Sequence, residues 1–209
     1  NIKWWDMMKW PPPSVDDYDA LTRRSSSANA VCFTVSSSEP VKFRGNLIDG
    51  SWIMAATHDF EDVRSFEIER GRYFTQSESG GGKPVAIIGA VVAEKLFEKI
   101  NPVGKEISID RYKAQVIGVF KKEGKGGMSD NGMDEGILVP LDFSRQFVNF
   151  RNPFLNSQIM IRGKDGVSVQ QLTDEVTMTL RAARRIGPGE DNNFSINQAS
   201  QITSTLEPV

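Results

Sequence analysis

KPVAIIGAVVAEKLFEKINPVGKEISI, residues 83–109, decides the fold of this chain. Lys83 and Pro84 lead into Val85, Ala86, Ile87 and Ile88, a short apolar run suited to a buried strand. Gly89 interrupts it. Ala93, Leu96, Phe97 and Ile100 then recur at i, i+3, i+4 and i+7, which predicts an amphipathic helix over residues 90–100. Asn101-Pro102 ends that helix, because a residue before proline is pushed out of the helical region. Residues 105–109 alternate, with Ile107 and Ile109 on one face, and residues 114–120 follow as another strand. The segment is therefore β-α-β-β.

Working outward, the pattern stays irregular. On the N-terminal side, Ser14 is a good N-cap, with Asp16 and Asp17 in the first turn and Arg23 and Arg24 at the end of the helix it starts. Strands are predicted at residues 30–35, with Val31, Phe33 and Val35 on one face, at 41–44 and at 52–57; a short helix is predicted at 60–66. On the C-terminal side, residues 124–136 carry five glycines and predict a mobile, exposed loop. A strand at 137–140, a turn or short helix at 141–147 and a strand at 158–161 follow. Ser168 caps the longest predicted helix, residues 169–186, whose apolar face is Val169, Leu172, Val176, Leu180 and Ala183. Gly187 and Pro188 stop it, and residues 194–197 predict a final strand. Short strands and helices mixed in this way give an α+β class.

The composition is that of an ordinary globule. The chain has 209 residues, 25% charged and 39% hydrophobic, with 25 Lys plus Arg against 27 Asp plus Glu and a net charge of −2. Its length suits one large domain or two small ones. The near-zero charge argues against a nucleic-acid binder, which usually needs a basic face. Cys32 and His58 are each the sole residue of their kind. Together they exclude an internal disulfide and a structural zinc site of the Cys/His type. No run of about 18 apolar residues occurs, so no helix is predicted to span a bilayer. The start at Asn1 is read as that of an excised fragment or a processed product. The opening NIKWWDMMKW has two readings. It is a terminal segment folded onto the core through its tryptophans, or a juxtamembrane segment whose indoles sit at the interface.

Each motif that hints at chemistry fails on spacing. Gly80-Gly81-Gly82-Lys83 is followed by Pro84 where a phosphate loop needs Ser or Thr, and it precedes a strand rather than a helix, so a hairpin-like surface loop is expected. Ile88-Gly89-Ala90 holds only one of the three glycines of a dinucleotide fingerprint. DNGMDEG, residues 130–136, puts Gly132 and Glu135 where a calcium loop needs an oxygen ligand and a glycine. Asp59, Glu61 and Asp62 around His58 are ordinary for a helix start, and Cys32 in a strand is expected to be a buried, inert thiol. The expectation is no enzyme, with no catalytic, cofactor-binding or metal-binding residue and no cofactor.

Three stretches taken in order carry a resemblance. They are Glu69-Arg70-Gly71-Arg72-Tyr73-Phe74-Thr75, then Pro84 to Gly89 running into Val92-Ala93-Glu94-Lys95-Leu96-Phe97, then Asn101-Pro102-Val103-Gly104-Lys105 followed by Val116-Ile117-Gly118-Val119. Order and spacing resemble the periplasmic core domain of MacB-type ABC transporter permeases, the superfamily that includes the lipoprotein-releasing and FtsX-like permeases. The match is dense over residues 69–120 and loose elsewhere. Asn101 stands where the family usually has Asp, and Gly80 to Gly82 lengthen the loop before Val85. The resemblance implies an extracytoplasmic domain between two membrane helices, in two subdomains. One is porter-like and discontinuous, residues 1–70 plus 157–209; the other is inserted, a small α/β unit of residues 71–156. It also implies a role in transmitting ATP-driven movement or contacting cargo. The partners it implies are a cytoplasmic ABC ATPase, a second permease copy and a periplasmic adaptor protein. A stand-alone enzyme, with a deep pocket near His58 or residues 130–135, and a ligand-binding sensor domain of a receptor are the alternatives.

Overall fold

A computed structural model describes residues 10–123 and 133–198. The strands are β1 (Ala28–Phe43), β2 (Asn46–Ala56), β3 (Ile68–Gly71), β4 (Val85–Ile88), β5 (Glu106–Ile109), β6 (Tyr112–Phe120), β7 (Gly136–Pro140) and β8 (Asn156–Gly163). The helices are α1 (Val15–Arg24), α2 (Phe60–Val63), α3 (Gln76–Gly80), α4 (Ala90–Phe97), α5 (Leu141–Ser144) and α6 (Val169–Ala183), with one 3-10 turn at Met133–Glu135. Among the described residues no helix is long and apolar enough to cross a membrane.

All the strands join one mixed sheet, in the order β2-β7-β4-β6-β5-β1-β8, with β3 beside β6. β1 also pairs with β2, so the path from β1 through β5, β6, β4, β7 and β2 closes on itself. The sheet thus draws on both segments of the division at residues 71 and 156. The β4-α4-β5-β6 segment forms where its pattern predicts. Glu98, at φ 54, stops α4 one turn before Ile100.

The larger core cluster packs α4 and α5 on one face of the sheet through Val92, Leu96, Phe97 and Phe143, against Phe33, Val41, Phe43, Ile107, Val116 and Val139. A second cluster on the opposite face holds Cys32, Phe60, Phe74, Ile87, Phe120 and Leu138. The alternation of β1 explains the split: Phe33 and Val35 point one way and Cys32 the other. A third, smaller cluster joins α1 and α6 to β1 and β8 through Leu21, Val31, Val176 and Leu180.

The structure differs from the sequence expectations at several points. Residues 30–35 and 41–44 are not two strands but parts of the single β1, whose register shifts between Glu39 and Val41. Pro40 lies there; it has no N–H for the ladder and is accommodated as a bulge. β3 and α3 had not been expected. Gly80 to Gly82 form a helix end rather than a hairpin loop, since Gly80 closes α3 and Gly81 caps it. Residues 194–197 are not a strand. Val169 and Ala183, at the two ends of α6, are exposed, so its buried face is shorter than its apolar pattern. Residues 124–132 of the glycine loop lie outside the described residues, and so do the tryptophans of the opening segment except Trp10. At the end of that loop Met133 is buried, not exposed.

Two of the stretches that carry the resemblance pair with each other. Gly71 on β3 lies opposite Gly118 on β6. A Cβ on Gly71 would come within 2.1 Å of the Ile117 carbonyl oxygen and 2.8 Å of the Gly118 Cα, and its φ is +84. Only glycine fits.

Candidate functional site

The most heavily bonded polar centre lies where the two ends of the described fold meet. Ser14 starts α1 with a complete capping box: Asp17 N–H donates to Ser14 Oγ at 3.2 Å, and Ser14 N–H donates to Asp17 Oδ2 at 2.9 Å. The same carboxylate receives Arg184 from the end of α6, Nη2 to Oδ2 at 2.7 Å and Nε to Oδ1 at 3.1 Å. The pair is buried, with side-chain exposures of 5% for Asp17 and 10% for Arg184. α1 and α6 run antiparallel here, which places an acid at one helix N-terminus and a base at the other's C-terminus, as both dipoles favour.

Arg184 has donors left over. Nη1 reaches the Asn193 carbonyl at 2.9 Å and Asn193 Oδ1 at 3.1 Å, with longer contacts to Pro11 O at 3.4 Å and from Nη2 to Pro12 O at 3.5 Å. Its guanidinium lies 5.7 Å from the Phe194 ring. One turn earlier, Arg181 donates to Gly187 O at 2.7 Å, Glu190 O at 2.9 Å and Asn192 Oδ1 at 2.6 Å. Ser157 Oγ, at the start of β8, donates to Pro13 O at 2.7 Å. The proline segment before α1 and the segment after α6 are therefore fastened to one arginine, which is anchored in turn on Asp17. Burial opposes ionisation of Asp17, but hydrogen bonds from Arg184 and Ser14 outweigh it and hold its carboxyl below the usual range. The sequence reading placed Asp17 in the first turn of its helix but gave no sign that it meets Arg184.

A second ion pair, between buried Glu78 and exposed Arg72, fixes the corner after β3. Glu78 accepts from Arg72 at 2.7 and 2.9 Å, from Thr75 N–H at 2.9 Å and from Lys83 at 3.5 Å. Hydrogen bonds from Arg72, more than enough to offset burial, hold its carboxyl down at about 2. The spacing of Thr75 and Glu78 is a capping-box signature that would have revealed α3 from sequence.

The residues weighed for chemistry lie in packed or hydrogen-bonded surroundings. Burial pushes the Cys32 thiol up to about 12, the reverse of what a nucleophile needs. Its Sγ lies 3.9 Å from the Thr57 carbonyl. His58 packs edge-on against Tyr73 and Phe74, with Nε2 at 3.4 Å from Glu61 Oε1. Asp134, within the suspected calcium loop, accepts from Glu123 N–H at 3.0 Å, while residues 130–132 lie outside the described part. Among the described residues no group of three His, Cys, Asp or Glu side chains is placed to hold a metal. An open groove of about 680 Å³ runs between the end of α1 and the start of α6, lined by Arg24, Ser168, Gln171, Asp174 and Met178 among others. Glu175 on its wall accepts from the Ser26 and Ser27 N–H groups and so holds the start of β1.

The MacB-like periplasmic core domain family matches residues 2–179. Macrolide export ATP-binding/permease protein MacB of Chlorobium luteolum is 28% identical over 91% of this chain. Pyoverdine export ATP-binding/permease protein PvdT of Pseudomonas aeruginosa is 28% identical over 82% of it. The chain spans 28% and 26% of the lengths of these two relatives. In fold, it superposes on the periplasmic region of MacB from Actinobacillus actinomycetemcomitans with a TM-score of 0.70 at 17% identity, over 82% of this chain and 74% of that one. The extracellular domain of the noncanonic ABC-type transporter YknZ from Gram-positive bacteria gives 0.67 at 21% identity, over 83% of this chain and 85% of that one. The chain belongs to the MacB-like periplasmic core domain family and is a periplasmic domain of a MacB-like ABC transporter permease.

Proposed function

We propose that this domain is a non-catalytic coupling element. It transmits movement driven by ATP hydrolysis on a cytoplasmic ATPase and contacts cargo and a periplasmic adaptor protein. The observation that carries this is the Arg184 junction. One side chain binds Asp17 on α1, the Pro11 and Pro12 carbonyls before it and Asn193 after α6. A displacement applied to either flanking segment is thereby delivered to both helices, and through Leu21, Val31, Val176 and Leu180 to the sheet. The parent permease works with a second copy of itself, and its direction is outward, since both curated relatives above are named for export.

The division into a porter-like unit, residues 1–70 plus 157–209, and an inserted unit, residues 71–156, is part of this reading. The β1–β2 hairpin supplies a strut between them. Its tip packs Phe43 on Phe97 with ring centroids 4.1 Å apart, and Asn46 Nδ2 donates to the Leu96 carbonyl at 2.8 Å.

The test is made in the full transporter. With Arg184→Met, ATP hydrolysis persists while export per ATP falls. Export that keeps pace with hydrolysis, in a variant shown to loosen the junction, would refute coupling through this site. So would a proportional fall in both activities at unchanged protein level.

A further inference from the structure

The sheet order ends at β8. One edge of β8 pairs with β1 from Asn156 to Gly163. Among the described residues, no strand or backbone hydrogen bond meets its other edge between Gln158 and Arg162. Natural edge strands are usually shielded by lysine, proline, a bulge or a covering loop. From Asn156 to Ile161 this one has no charge and no proline. Helices cover its faces: Ile159 and Ile161 lie with α1 and α6, and Met160 lies with α2 on the opposite side. Ile159, Met160 and Ile161 all remain only half-buried.

We propose that this edge receives β8 of a second copy of the chain, antiparallel, about a two-fold axis at Met160. The sequence is self-complementary in that register. Ile159 faces the partner's Ile161, Gln158 faces the partner's Arg162 and Ser157 faces the partner's Gly163. Each face continues its own chemistry across the junction, and no charge meets its like. A strand from a different protein gains the same main-chain bonds, but nothing between Asn156 and Arg162 selects one. The self-pairing pattern selects a second copy. One strand pair of this length buries less than the roughly 800 Å² per partner of a standard stable interface. The contact is therefore weak in the isolated domain and strengthened when two copies are held close together. The proposal concerns assembly, so it can fail while the Arg184 variants still uncouple transport, and the reverse.

Cysteine crosslinking of the whole 209-residue chain tests it. In the proposed register the two Met160 Cα atoms stand about 4.5–5.5 Å apart, within disulfide range. Met160→Cys should give a disulfide-linked dimer on mild oxidation. Arg162→Cys, two positions off the axis, should not, and neither should the wild type with its buried Cys32. A folded Met160→Cys chain that stays monomeric, or crosslinks no better than Arg162→Cys, overturns the proposal. If Met160→Cys does not fold, a mixture of Gln158→Cys and Arg162→Cys chains decides the same point, since the register sets those two residues opposite each other. A mixed dimer supports the proposal and its absence overturns it.

Discussion

Arg184→Met tests the junction most directly. The substitution keeps the aliphatic stem and removes the charge, which leaves the Asp17 carboxylate buried at 5% exposure with only its capping-box partners. Removing one member of a buried pair costs about 3–5 kcal/mol, because the surviving charge is stranded. The lost bonds to Asn193 fall within that figure, since Asn193 lies near the surface and can turn to water. For a chain of this size about 2–4 °C of melting temperature corresponds to each kcal/mol, so the midpoint should fall by roughly 6–20 °C. A double-mutant cycle with Asp17→Ala isolates the pair. The double variant removes both charges and should be less destabilised than the sum of the single variants, by about 1–3 kcal/mol. The pH dependence gives an independent check. Asp17 has its folded pKa lowered, so the pair's stabilisation is present above the unfolded carboxylate value. It is lost as pH falls through the folded one. The gap between wild type and Arg184→Met should therefore narrow on acidification. Calorimetry or denaturant titration reads all three. A variant within about 1 kcal/mol of wild type, or strict additivity in the cycle, would refute the assignment of Arg184 as the tie between the two ends.

Glu78 should behave similarly at its own corner. Its carboxyl is held at about 2 against an ordinary 4.5, so its contribution is present above that ordinary value and lost as pH falls towards 2. Glu78→Gln should flatten acid denaturation in that window; an unchanged acid limb contradicts the role. Gly104 has φ +85 with nothing within 4 Å of a Cβ, so Gly104→Val should cost only the left-handed strain, roughly 1–2 kcal/mol. Gly71→Val should cost clearly more, because backbone rather than space opposes its Cβ. Equal melting temperatures for the two variants would contradict this. Cys32 is fully buried with its thiol pushed up to about 12, so maleimide labelling at neutral pH should follow global unfolding. Rapid labelling of the native chain would count against it.

Where apolar periodicity is strong, the elements form as the pattern predicts. Val85 to Ile88 and Ala93 to Phe97 are such cases, since burial and local propensity agree there, whereas Ile100 lies exposed beyond the end of α4. β3 was illegible because only Ile68 of its four residues is even partly buried. Its conformation is imposed by β6, through the Gly71–Gly118 approach. Residues 30–35 and 41–44 read as two strands, yet the bonds of β1 to β2 and β5 on either side of Pro40 outweigh its one missing donor. Residues 194–197, beginning with Phe194, read as a strand in the sequence. In the structure Phe194 serves as a ring beside Arg184.

The candidate site was hidden for a different reason. Asp17 and Arg184 are separated by 167 positions, and each has a sufficient local explanation. An acid in a first helical turn and a base in a last one are what helix dipoles favour anywhere. Local sequence logic is satisfied by either residue alone, so only the antiparallel packing of α1 on α6 shows that two ordinary helix ends make one junction. The family-marking residues have the opposite character. Gly71 and Gly118 are exacting because two backbones touch there, and that demand persists whatever the domain carries or contacts. In the proposed reading as a coupling element, the domain needs a rigid sheet and firmly joined ends more than a reactive group. Its sequence therefore announces the sheet through glycines and apolar runs, while the junction hides among residues that any helix could carry.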